Sequence, residues 1–254
     1  METIMKRTLC KLQQGQPVTI VAFGDSNTEV TFHTQGRMNW VGLLSEALFE
    51  TYGNGACTMI NAGKCGSSYE EGLARLERDV LRHQPDLVIL AFGMNDAAQG
   101  LAALAGVIAN ARRMIGRVRE VCHSDILVRT PNPVVTVHGL PLPAQQSRPG
   151  RAWESQDRPL KPYARALVDL AGELGCPVVD HYRLWTEKTF VVRHAVADPT
   201  GLWPRMSDAI HPGHLGHLAF FRELAPLFGV PTHFPWEEID PPLRSDVPEA
   251  VPEA

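Results

Sequence analysis

A chain of 254 residues with 44% hydrophobic and 20% charged side chains carries enough apolar matter for one large buried core, and its composition is neither disordered nor fibrous. A formal charge of -4 at pH 7, with the basic residues scattered, argues against a nucleic-acid footprint. No apolar run of about eighteen residues offers a membrane span. The basic stretch around Lys6, Arg7 and Lys11 leads into no apolar signal core, so a cytoplasmic location is expected unless a leader has been removed.

In chain order, short apolar runs alternate with amphipathic stretches. Strands are expected at Val18 to Phe23, Cys57 to Asn61, Asp86 to Phe92, Asp125 to Arg129 and Pro177 to Asp180, each apolar enough to be covered on both faces. A first helix should begin at Trp40 behind Asn39 as N-cap and end at Gly53. Further helical stripes run through Leu73, Leu76, Val80 and Leu81, then Leu101 to Val118, Tyr163 to Leu174 and Leu215 to Phe228. This alternation predicts an α/β fold. Its form is a three-layer α/β/α sandwich around a mostly parallel sheet of about five strands, built as one domain over residues 1–236. Residues 237–254, acidic and rich in proline, read as a solvated tail. Two loops break the rhythm, Thr130 to Pro159 and Ala197 to Pro212, and long loops at strand ends commonly carry function. The five cysteines form no CxxC pair, which fits a reducing compartment; Cys65 stands apart by lying in a Gly/Ser-rich turn.

The stretch VAFGDSNTE ends a hydrophobic strand by presenting Ser26 at the carboxyl edge of the sheet, where open α/β folds bind ligands. A serine hydroxyl needs a positioned base before it can attack. The segment SDAIHPGH supplies one, with Asp208 three residues before His211, close enough for the carboxylate to hold the imidazole Nδ1 and leave Nε2 for the serine proton. Donors for a developing oxyanion are available from the Ser26 backbone N–H, from Gly66 in NAGKCGSS after the second strand, and from the Asn95 amide in FGMND after the third.

These four blocks, GDSN, NAGKCGSS, GMND and SDAIHP, occur in the order seen in the SGNH hydrolases, also called the GDSL family, which the chain resembles from Gly24 to His211. The resemblance implies a flavodoxin-like SGNH hydrolase fold, a Ser26–His211–Asp208 triad, an oxyanion hole from Ser26, Gly66 and Asn95, and hydrolysis of carboxylic esters or thioesters with no metal or other cofactor. Asn27 replaces the leucine or isoleucine usual after the serine, which leaves the catalytic positions intact and changes the pocket wall.

Each residue also has a plainer reading. Ser26 alone would be a turn serine, and Asp208 and His211 a helix cap and a surface turn residue. Gly66 competes with Gly63 for the oxyanion role, Asn95 with a local Asx-turn, and Asp96 is expected to bond local backbone amides. His211, His214 and His217 with Asp208 form a possible zinc set, weakened by Pro212 and Gly213, which put the helix start after His211. Trp40 and Trp185 are expected in the core, while Trp203 and Arg205 are candidates for substrate contact together with Asp25 and Asn27. The layout resembles the short-acyl carbohydrate deacetylases of the family, and the expected substrate is an acetylated sugar or oligosaccharide. The alternatives are a general aryl or alkyl esterase, a lysophospholipase or thioesterase, an acyltransferase, and a catalytically silent carbohydrate-binding relative. Neither a nucleic acid nor a membrane is expected as partner, and oligomeric state is not legible.

Overall fold

The computed structural model describes residues 5–29, 32–34, 36–134, 159–187 and 210–233. Five strands, β1 (Val18–Gly24), β2 (Cys57–Gly63), β3 (Leu87–Ala91), β4 (Asp125–Arg129) and β5 (Val178–Val179), form one sheet in the order β2-β1-β3-β4-β5, and every pairing is parallel. All five carboxyl ends therefore meet at one edge, reached by the loops that follow them.

The helices are α1 (Lys6–Gln13), α2 (Trp40–Tyr52), α3 (Tyr69–Asp79), α4 (Met94–Ala97), α5 (Leu104–Cys122), α6 (Leu160–Glu173), α7 (His181–Glu187) and α8 (His214–Phe228). Alternation along the strands divides the core in two. Ile20, Ala22, Leu87, Ile89 and Leu127 face α2 and α8, while Val21, Phe23, Val88, Leu90, Ile126 and Val128 face α3, α5 and α6. Successive strand side chains point to opposite faces, so a strand buried on both must be apolar at every position. β2 departs from the expected two-sided cover: as an edge strand it is only half-buried along its length, and it tolerates Thr58 and Asn61.

Local chemistry sets several boundaries. The Asn39 side chain accepts the backbone N–H groups of Val41 and Gly42, and Gly53 closes α2 at φ 91°, as the sequence suggested. Ser68 and Glu71 form a reciprocal capping box that starts α3 directly behind the glycine block. α1, α4 and α7 were not anticipated, each being too short for a periodic signal. α1 is tied to the amino edge of the sheet, where Thr8 bonds Asp125 and Lys11 reaches Asp86 at 2.7 Å. Trp40 and Trp185 are core residues, 0% and 1% exposed. Among the described residues no helix is long and apolar enough to cross a membrane.

Candidate active site

β1 ends in a tight turn rather than a loop. The Asp25 carbonyl accepts the N–H groups of Thr28 and Glu29, and the Asp25 carboxylate accepts the N–H of Asn27 at 2.9 Å. Ser26 is thereby held at the start of a single helical turn over the sheet edge. Arg75, reaching from α3, donates to the carbonyls of Gly24 and Ala62 and lies over the Phe23 ring, so one buried guanidinium closes the ends of β1 and β2.

The decisive distance is across the chain: His211 Nε2 lies 3.0 Å from Ser26 Oγ, although 185 positions separate them in sequence. The His211 ring is stacked on His33, with centroids 4.1 Å apart and planes inclined by 14°. His33 belongs to a short 3-10 turn at Phe32–Thr34 in the loop after the Ser26 turn, and nothing in the sequence pattern singles it out. Asp208, Trp203 and Arg205 lie outside the described residues.

The two glycine candidates have different surroundings. Gly63 is paired with Gly24 in the sheet, and a Cβ there would fall 2.2 Å from the backbone nitrogen of Glu29; this glycine permits the Ser26 turn to pack on β2. Gly66 is exposed, adopts φ 77°, and a Cβ there would meet no atom within 4 Å. The Glu29 carboxylate accepts the Cys65 N–H at 2.6 Å, and the Asn95 amide donates to the Ser67 carbonyl at 3.0 Å. The glycine block is therefore bonded directly to both the Ser26 turn and the asparagine block. Asp96 reaches beyond the local amides expected of it: it accepts the N–H of Tyr69, 27 positions away at the start of α3, at 3.0 Å.

Beneath Ser26 the environment is polar and buried. Arg129, 2% exposed, sits between the Trp40 and Phe220 rings and donates to His181, whose other nitrogen meets Glu223 at 2.6 Å. Burial pushes Asp25 up to about 6, against the Asn27 N–H and the His211 and Arg129 charges that favour its ionised form. The same burial lowers Arg129 to about 9 and His181 to about 4. Asp25 and Asn27, expected to touch substrate, are 2% and 6% exposed, and the Asn27 amide nitrogen donates to Asn132. His217, named above in the possible zinc set, is a buried acceptor on α8. It is 2% exposed, its Nδ1 accepts the Trp40 N–H, and burial lowers it to about 3, which keeps it a neutral acceptor. Among the described residues no three His, Cys, Asp or Glu side chains converge to hold a metal ion.

Beside the turn lies a groove of about 370 Å³, lined by Arg37, Met38, Val41, Ser45, Met59 and Asn61 among others. Two of its lining residues, Asn39 and Asn61, donate their amides at 2.8 Å to the carbonyl of Thr28, in the turn that carries Ser26.

Residues 22–219, a span that includes Ser26, Gly66, Asn95 and His211, match the model of the GDSL-like Lipase/Acylhydrolase family. The chain belongs to that family. Its sequence relatives include an arylesterase of Vibrio mimicus, 34% identical over 82 residues, and the uncharacterized lipoprotein YqeF of Bacillus subtilis (strain 168), 35% identical over 83 residues. The matched segments span 32% and 31% of this chain and 40% and 32% of those relatives. Similar solved structures include the acetylxylan esterase Axe2 of Geobacillus stearothermophilus, in a catalytic mutant, at TM-score 0.64 and 19% identity over 85% of this chain and 96% of that one. Another is LAE5, an alpha/beta hydrolase enzyme from the metagenome of Lake Arreo, Spain, at TM-score 0.62 and 19% identity over 84% and 95% of the two chains. The sandwich of this GDSL-family chain is therefore a shared fold, reached at low sequence identity.

Proposed function

We propose that this member of the GDSL-like lipase/acylhydrolase family is a serine esterase that removes short acyl groups, acetyl foremost, from carbohydrate esters. The 3.0 Å approach of His211 Nε2 to Ser26 Oγ at the carboxyl edge of the sheet carries the reading. Oγ attacks the ester carbonyl carbon while Nε2 takes its proton, and the carbonyl oxygen becomes an oxyanion. The Ser26 and Gly66 backbone N–H groups and the second N–H of the Asn95 amide are the donors we assign to it. Collapse of the tetrahedral adduct breaks the carbon–oxygen bond to the alcohol, which leaves with the proton from His211. Water then attacks the acyl-serine, gives its proton to Nε2, and releases the acid as the Ser26 hydroxyl reforms. Asp208 is the carboxylate we assign to His211 Nδ1, from its position three residues upstream.

The acetylxylan esterases among the similar structures support the choice of a sugar ester, and catalytic mutants of that enzyme replace a serine, an aspartate and a histidine. The groove beside Thr28, with apolar Met38, Val41 and Met59 between polar Arg37, Ser45 and Asn61, suits an alcohol that has both apolar faces and hydroxyl edges. A second reading, an aryl ester, is favoured by the Vibrio mimicus relative.

The test is hydrolysis of p-nitrophenyl esters from acetate to octanoate and of acetylated xylo-oligosaccharides by wild type and Ser26→Ala, with a chelator control. Ser26-dependent release of acetate from the sugar is expected. Preference for the aryl esters with no release from sugar would establish the second reading, and Ser26-independent turnover would reject both.

A further inference from the structure

Two buried asparagines connect the nucleophile turn to the histidine loop. Asn27, directly after Ser26, donates from Nδ2 to Asn132 Oδ1 at 3.0 Å. Asn132, fully buried in the segment that follows β4, donates from its own Nδ2 to the Pro133 carbonyl at 2.9 Å and the Ile210 carbonyl at 3.2 Å. Ile210 directly precedes His211. A closed circuit results, from Ser26 through Asn27, Asn132 and Ile210 to His211, and back to Ser26 across 3.0 Å. The far side of the histidine loop is tied to the same turn. Trp40 donates its indole N–H to the Asn27 carbonyl at 3.0 Å and its backbone N–H to His217 in α8, the helix that follows His211.

We infer that Asn132 is a positioning residue, and that Asn27 works through it to fix the distance between Ser26 and His211. The inference rests on the esterase reading above. His211 stands in a short segment before α8, outside any helix, so its backbone needs an external reference. A side-chain amide is suited to this, because it accepts from one loop and donates to another within a single rigid plane. Burial of the bridge excludes water as a competing partner, so breaking one bond leaves a polar atom unsatisfied and favours a shifted loop. Asn27 gives the family's usual apolar position a second use: it presents a donor that leucine or isoleucine lacks.

The experiment compares wild type, Asn27→Leu, Asn132→Leu and the double variant on the ester that wild type cleaves fastest, with Tm measured for each. Asn132→Leu is expected to lower kcat by about 10- to 100-fold, the range a misplacement near 1 Å produces, with KM changed by less than about threefold. The double variant should be no slower than Asn132→Leu, since Asn27 acts through it. Labelling of Ser26 by a fluorophosphonate should slow in parallel. Undiminished kcat in folded Asn132→Leu, losses that multiply in the double variant, or a loss confined to KM would each overturn the inference; a residue of purely structural role would lower Tm and leave the kcat of the folded protein intact. Should Asn132→Leu not fold, Asn132→Ser, too short to span both partners, replaces it with the same expectation. If wild type neither turns over an ester nor labels at Ser26, the esterase reading fails by itself. The positioning role is then read from the His211 ring nitrogen chemical shifts, which must move in the Asn132 variant; unmoved shifts reject it.

Discussion

His211 presents Nε2 to Ser26 Oγ at 3.0 Å while the face of its ring rests on His33. On the proposed reading the two side chains act as base and nucleophile in one unit, so their removal should not be additive. Ser26→Ala, His211→Ala and the double variant are each expected to lose at least about 10³-fold in kcat, with the double no worse than the singles. Steady-state kinetics on one ester checks this, and multiplicative losses would separate the two roles.

The stacked imidazole restrains the swing of the His211 ring and adds a titratable neighbour at van der Waals distance. His33→Phe keeps a flat face and should retain most of the activity, whereas His33→Ala should lower kcat by about 3- to 30-fold, an effect of the misplacement class. The kinetics of both variants, read with KM, distinguish ring support from substrate contact, which would instead raise KM.

Gly63 and Gly66 should fail differently. A methyl group on Gly63 enters the Glu29 backbone, so Gly63→Ala is expected to lose the folded state or several degrees of Tm. Gly66→Ala meets open space and carries only the left-handed backbone penalty of about 1–2 kcal/mol, so a folded protein with depressed kcat is expected. Thermal melts beside kinetics decide whether the oxyanion role belongs to Gly66.

Asn95→Ala removes one proposed oxyanion donor and the link to Ser67. A fall in kcat of about 10²- to 10³-fold with little change in KM is expected; a rise in KM alone would assign the amide to ground-state binding.

Two buried groups should tilt acid stability in opposite directions. His217, lowered to about 3 in the folded chain, takes its proton only when unfolded between pH 6.5 and 3, so its contribution to stability falls as pH falls. Asp25, raised to about 6 from 3.8, is protonated first in the folded state, so its contribution is fully present below pH 3.8 and is lost as pH rises through 6. His217→Gln should therefore spare on the order of 2–3 kcal/mol of the loss between pH 7 and 4.5, and Asp25→Asn should steepen it. Urea melts at the two pH values measure both, and equal slopes in all three proteins would contradict the assignment.

The primary sequence determined what is locally encoded. Continuous apolar runs separated by periodic stretches specified five parallel strands and the major helices, because each pattern has one way to bury its face. Asn39 and Gly53 marked the ends of α2 for the same local reason, and the strand-to-turn break at GDSN marked Ser26. Tertiary structure decided what depends on distance between loops. The stacking of His33 on His211, the burial of His217 as an acceptor, and the inward turn of Asn27 toward Asn132 have no sequence period, since each is settled by which loop ends the sheet brings to a common edge. The one available signal was position: Asn132 follows β4 at the carboxyl edge, the place where an α/β sheet gathers its chemistry. A hydrogen bond between residues 105 positions apart is a property of the closed fold, and no local pattern records it.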